Sequence, residues 1–191
     1  MSLTIIERPA HKNNWSLRPP GVIIDTIVLH DTGGKTAESA LRWFENPQAK
    51  VSSHYVVDLG GTIYRPVQEN DKAWHAGASS LWGDLDLNRR SISIEIVDDD
   101  DATPYPPRQM SSIVDLTCDI AARRRIWVNR IVGHEHISIP PGRKRDPGKD
   151  FPWELFLLTV ANQVNATRGG TSNNGRRRTS TEDGGNCLQK S

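Results

Sequence analysis

Cysteine is scarce in this chain: 191 residues hold two, Cys118 and Cys187, far apart and one of them near the C-terminus. That excludes a disulfide framework and a cysteine-based zinc site, and implies two free thiols. Long apolar runs are lacking as well. No segment approaches the roughly 20 residues of a bilayer-spanning helix. MSLTIIERPAHKNN has neither the apolar core nor the small-residue cleavage site of a signal peptide. The expectation is a soluble protein of the cytosol, a monomer with no membrane insertion. Neither sign of charge dominates, with 24 Lys and Arg against 23 Asp and Glu. Five basic and two acidic residues fall from Arg168 onward, so residues 1–167 carry 19 against 21, a balance of −2. Such a surface offers no footprint for nucleic acid. Internal repeats are absent too.

What the chain does have is enough apolar content, 36% hydrophobic residues, for one ordinary domain around a single core. Residues 1–20 read as an irregular N-terminal arm, because Pro9, Pro19 and Pro20 interrupt any period and Asn13 and Asn14 favour turns. GVIIDTIVLH, Gly21 to His30, is a nearly continuous β-branched run that suits a strand covered on both faces, and DTGG stops it. TAESALRWFENP predicts a helix with Thr36 as N-cap and Ala37, Leu41 and Phe44 at helical spacing. SSHYVVD and TIYRPV read as strands joined by a glycine turn, SISIEIV as another strand, and IWVNRIVGH as the last. Helices are expected over Arg108–Arg125 and over PWELFLLTVANQV, the latter turning Trp153, Phe156, Leu157, Val160 and Val164 inward. Strands mixed with helices indicate an α/β domain over residues 21–167. Residues 168–191 have too few apolar side chains to offset their ordering entropy and are expected to be disordered. Asp98 to Asp101 read as solvated loop.

GHEHISIPPGRKRDPGKDFPW is the stretch that composition alone does not account for. It sets His134 and His136 at the end of an apolar run, then braces a loop with Pro140, Pro141 and Pro147 around one acid, Asp146. His30 ends the first strand as His134 ends the last, so both stand at the carboxyl edge of a sheet, where open α/β folds place ligands. Two imidazoles with the Asp146 carboxylate would make a three-ligand zinc set with a fourth position open to water. The same positions also suit hydrogen-bonded strand-end histidines, and His136 competes with His134. Lys144, two residues from Asp146, would stand beside such a metal, which makes chemical sense where an oxyanion develops; otherwise it forms a surface ion pair with Asp146. In SISIEIV, Ile92, Ile94 and Ile96 share one face, while Ser91, Ser93 and Glu95 share the other, a polar row that would floor a cleft and end in a general base. A half-exposed strand with a solvated glutamate fits the same alternation.

IVLHDTGG, VSSHYVVDLGGTIYRPV, AWHAG, LNRRSISIEI and VGHEHISIPPGRKRDPGKDFPW resemble, in this order, the blocks of the zinc-dependent N-acetylmuramoyl-L-alanine amidases of the amidase type 2 family. That family includes phage lysozyme-type amidases and animal peptidoglycan recognition proteins. The resemblance covers roughly residues 20 to 160. It implies a mixed, mostly central β-sheet flanked by helices, one zinc ion per chain held by His30, His134 and Asp146, and Glu95 and Lys144 as catalytic residues. Trp74 and His75 of AWHAG would line the cleft, His75 as a substrate contact or by packing, while His54 would be a buried hydrogen-bonding residue. Asn88, Arg89 or Arg90 would bind carboxylates of the stem peptide. Two departures stand out: many members have a second histidine where this chain has Asp31, and the loop from His134 to Asp146 is slightly longer than is common. The implied function is hydrolysis of the amide between the lactyl group of N-acetylmuramic acid and L-alanine, in peptidoglycan or its fragments, in cell-wall lysis or recycling. The rivals are a non-catalytic peptidoglycan-binding module of the same fold and an unrelated zinc hydrolase.

Overall fold

The β-branched run that starts at Gly21 becomes a strand only from Thr26 in the computed structural model, which describes residues 3–98 and 104–170. This strand, β3 (Thr26–Asp31), lies between β9 (Ser91–Ile96) and β10 (Ile131–Gly133) and runs parallel to both. Beyond β9 come β4 (Tyr55–Val57), parallel to it, then β5 (Ile63–Arg65), antiparallel to β4, and β1 (Ile5–Glu7), parallel to β5 at the edge. The sheet is therefore mixed, with strand order β1-β5-β4-β9-β3-β10. Two small ribbons flank it: β2 (Trp15–Leu17) with β6 (Asp71–Ala73), and β7 (Ser80–Leu81) with β8 (Asp84–Leu85).

Alternation along β3 and β9 decides what each face meets. Ile27, Leu29, Ile92, Ile94 and Ile96 turn to the face covered by α2 (Pro107–Arg124) and α4 (Trp153–Gly170), where Ile113, Leu116, Ile120, Phe156, Val160 and Val164 join them in one core. Burying each such side chain contributes about 1.5–3 kcal/mol, more than any cap on these helices. The opposite face carries α1 (Ala37–Glu45), whose Ala37, Leu41 and Phe44 pack on Val56, Val67 and Ala73. Its start is set as the sequence predicts: the Thr36 hydroxyl accepts the Ser39 N–H. Ser91, Ser93 and Glu95 point to this second face, all buried.

Three expectations are revised. The N-terminal arm is not irregular throughout, because Ile5–Glu7 and Trp15–Leu17 form strands at sheet edges, where prolines just outside three-residue elements do no harm. Arg18 ties this segment inward, its guanidinium donating to the carbonyls of Glu69, Asn88, Arg89 and Ser91. The last strand is shorter than IWVNRIVGH, since Val128–Arg130 is a single 3-10 turn, and His134 opens the short helix α3 (His134–Ile137) instead of closing a strand. Residues 168–170, the start of the tail expected to be disordered over 168–191, instead continue α4; the rest of that tail and the loop at Asp98–Asp101 lie outside the described residues, apart from Asp98 itself.

Candidate active site

His30 is buried near the end of β3, its Nδ1 3.0 Å from Asp146 Oδ2 and its Nε2 3.0 Å from His75 Nδ1. A chain of partners settles where its proton sits. The Ser91 hydroxyl donates to the Leu87 carbonyl at 2.6 Å, so its oxygen accepts from His75 Nε2–H. His75 Nδ1 then bears a lone pair and accepts from His30 Nε2–H, which leaves His30 Nδ1 without a proton. Burial lowers the His30 pKa to about 4, so the ring is neutral near pH 7. His134 repeats the pattern: Nε2 donates to the Ala76 carbonyl at 3.0 Å, and Nδ1 faces the same Asp146 Oδ2, also at 3.0 Å. Two imidazole lone pairs and a carboxylate oxygen thus converge, with one candidate ligand atom from each residue within 4.8 Å of the others. Acceptors gathered without a donor do not satisfy one another; a cation among them does.

The loop that presents Asp146 is clamped from several sides. Glu135 N–H donates to the Asp146 carbonyl at 3.1 Å, and the Tyr105 hydroxyl donates to that of Pro147 at 2.6 Å. Gly133 admits the loop, for a Cβ there would stand 2.9 Å from both Pro147 Cδ and Trp153 Cζ2. On the other side Arg143 donates to the carbonyls of Ile139, Ala76 and Ala78. His136 is turned away from the convergence, accepting the Gly133 N–H on Nδ1 and packing edge-on against Trp153.

Glu95 pairs in register with His30 on the neighbouring strand. It is buried, and burial pushes its carboxyl well above the usual range, with Asp146 and Asp31 adding to the rise and Lys144 opposing it. No hydrogen bond holds its side chain among the described residues. Lys144 is exposed and forms no ion pair with Asp146; its charge acts on His30 and Glu95 instead. Ser91 and Ser93 do not floor an open cleft, because His75 and His54 lie over them; His54 is buried and hydrogen-bonded, as expected. Only Glu95, last polar member of the row, stands beside the three converging residues. A cavity of about 510 Å³ opens on the Asp146 side, lined by Asp31, Glu135, Arg145, Asp146, Gly148 and Lys149 but not by Glu95 or Lys144.

The family model for N-acetylmuramoyl-L-alanine amidases matches residues 19–149. The chain belongs to this amidase family. It is 40% identical over 114 residues to the 1,6-anhydro-N-acetylmuramyl-L-alanine amidase AmpD of Haemophilus influenzae, covering 59% of this chain and 60% of that protein. It is 35% identical over 146 residues to the N-acetylmuramoyl-L-alanine amidase AmiD of Escherichia coli, covering 69% and 51%. The match thus spans about half to three-fifths of the length of these relatives. Among solved structures, a selenomethionine AmpD derivative superposes with a TM-score of 0.70 at 27% identity, covering 84% of this chain and 99% of that one. Escherichia coli AmiD in complex with its substrate anhydro-N-acetylmuramic acid-L-Ala-D-γ-Glu-L-Lys gives 0.62 at 30% identity, covering 87% and 70%. The mixed central sheet with flanking helices is the fold of this family.

The expected substrate contacts fare differently. Arg90 is tied to Asp25 and Asp84 at the amino end of β9, five residues along the chain, roughly 17 Å, from Glu95. Arg89 lies at that same far end, beside Gly21–Ile23 and Gly83–Leu85. Asn88 is occupied as a brace, its Oδ1 accepting the N–H groups of His75 and Ala76. His75 has both ring nitrogens engaged inside the fold, and Trp74 donates its indole N–H to Ser16. Asn88 and His75 brace the site from inside the fold; none of the five lines the cavity beside Asp146. Of the residues that do, Asp146 was expected and Asp31 stood out only as a departure from the family pattern, while Glu135 carried no signal beyond its adjacency to His134. No helix among the described residues is long and apolar enough to cross a membrane.

Proposed function

We propose that this chain is an N-acetylmuramoyl-L-alanine amidase that holds one zinc ion on His30, His134 and Asp146 and cleaves the amide between the muramoyl lactyl group and L-alanine. The carrying observation is the convergence of two imidazole Nδ1 atoms and a carboxylate oxygen beside a buried glutamate that has no hydrogen-bond partner among the described residues. Nitrogen and oxygen donors, three in number, suit a catalytic zinc with an open position, and all come from one chain, consistent with a monomer. When bound, zinc supplies Lewis-acid polarisation of the carbonyl and a lowered water pKa.

The remaining work falls to this chain's own side chains. Glu95 takes the proton from the attacking water at its carboxylate and returns it to the leaving amine of L-alanine; a carboxyl raised by burial has the proton affinity for both transfers. Lys144, which has no carboxylate partner among the described residues, places its ammonium where the carbonyl oxygen becomes an oxyanion. His75 and Ala76 keep the protons of His30 and His134 on Nε2, so both Nδ1 atoms stay available. The relatives' names point to peptidoglycan fragments, and AmiD is seen with an anhydro-muramoyl tripeptide.

The test offers intact sacculi and soluble anhydro-muropeptides side by side and identifies products by mass spectrometry. Free stem peptide beginning with L-alanine is expected; a strong chelator should stop its release and added zinc restore it. Release unaffected in protein shown to be metal-free would overturn the mechanism, and no release from either substrate by zinc-loaded protein would overturn the activity.

A further inference from the structure

The far side of β10 from the active site carries two tryptophans that bury little. Trp82 is 66% exposed and Trp127 is 68% exposed. Together with Val128, Asn129, Arg130 and Asn165 they line a groove of about 670 Å³. Trp82 sits at the tip of the β7–β8 hairpin with φ 51°, followed by Gly83 with φ 91°, a two-residue turn whose first position favours Asn, Asp or Gly. A bulky ring in the left-handed region is strained, and there it gains little burial in return. The Arg130 guanidinium lies 5.3 Å from the Trp82 ring centre and is fixed by Asp25 and Asp84.

The groove's chemistry narrows its ligand. Arg130 and Arg90 share Asp25 and Asp84, two cations with two carboxylates, so the surface does not select an anion. Asn129 and Asn165 are exposed, and neither amide has a hydrogen-bond partner in the described fold. Flat indole faces with uncharged amides between them match a pyranose: its C–H face stacks on the ring, and its hydroxyl and acetamido groups pair with the amides. The chain's own residues 171–191 contain no aromatic side chain and only Leu188 and Cys187 as apolar ones, so they are poorly suited to fill it. The groove and the converging ligands lie at the two ends of β10, whose three residues span roughly 10 Å.

We propose that this groove is a second, non-catalytic binding site for an uncharged N-acetylated amino-sugar chain, the glycan strand of polymeric peptidoglycan, on the reading of the chain as a muramoyl amidase. It would hold the polymer while the peptide-bearing unit reaches the active site, and would matter little for a soluble monomeric muropeptide.

A soluble, peptide-free N-acetylglucosamine oligomer is the probe, titrated against the zinc-loaded full chain by calorimetry. Binding is expected, weakened about tenfold by Trp127→Ala and by Trp82→Asn, the scale of one lost aromatic contact. Asparagine suits the positive φ of position 82, so that variant should melt no lower than the parent. Both variants should keep full turnover of an anhydro-muropeptide while releasing peptide from sacculi more slowly at limiting substrate. No oligomer binding by the parent, or equal binding by both variants, overturns the proposal even if the protein is an active amidase. A change of oligomeric state in the variants without loss of oligomer binding also overturns it, marking the face as a contact between copies. Oligomer binding without any peptide release would sustain the groove and remove the amidase reading.

Discussion

Glu69 and Glu95 are buried to nearly the same degree, 7% and 9% exposed, and burial pushes both carboxyls toward the neutral form. Around Glu69 the push is answered: Arg123, Arg124 and the Tyr55 hydroxyl all reach it, and their hydrogen bonds bring it down to about 2. Around Glu95 the push is reinforced by Asp146 and Asp31, with only Lys144 opposing. One region spends its charges on holding α2 to the loop before β6. The other leaves acceptors and a carboxyl unmatched, an arrangement that lowers stability and is useful only where a cation and a reacting substrate complete it.

Exchanging each glutamate for glutamine is the sharpest way to break that contrast. Glu95→Gln should keep its zinc and lower kcat by roughly 10² to 10⁴, the contribution of a positioned acid or base. In chelated protein it should raise the melting temperature, because a carboxyl without partners becomes an amide. Metal analysis, steady-state kinetics and calorimetry read all three, and near-parental turnover would leave the proton transfer without an owner. Lys144→Met comes next, with kcat down by roughly 10² to 10³ and zinc retained, the scale of losing one oxyanion donor. KM should change much less, because the charge Lys144 meets exists mainly in the transition state. Undiminished kcat at full zinc occupancy would return Lys144 to the surface.

Glu69→Gln should reverse the signature: turnover intact, stability lower by about 2 kcal/mol, the scale of charge-assisted hydrogen bonds discounted for the partial exposure of Arg123. The pH dependence has a definite sign. A folded pKa of about 2 against 4.5 means that the ionised form stabilises the fold above pH 4.5 and that this contribution fades as pH falls toward 2. Urea melts of the parent and Glu69→Gln should therefore differ at pH 7 and draw together as pH falls from 4.5, converging only below about pH 2; a constant gap would show that the glutamate acts through packing alone.

Much of the catalytic edge was legible because it depends on short-range order. The alternation of Ile92, Ile94 and Ile96 with Ser91, Ser93 and Glu95 is a two-residue period, and it survives in the fold as two chemically different faces. Thr36 capped its helix for an equally local reason. Nothing in the sequence marks the pairing of Arg90 with Asp25, since it spans 65 residues and leaves no trace in spacing. His75 looked like a cleft residue for a similar reason: its role depends on Ser91 and His30, which only the parallel packing of β9 and β3 brings beside it. The edge strand Ile5–Glu7 was hidden by its brevity, three residues whose apolar pair could belong to any loop.

Backbone carbonyls of Leu87 and Ala76, through Ser91 and His75 in one case and directly in the other, decide which nitrogen of each imidazole is bare. Each bare nitrogen is therefore addressed from a part of the fold that never touches the convergence: Ser91→Ala would let His75 exchange its tautomer and, through it, that of His30, without altering His30 itself.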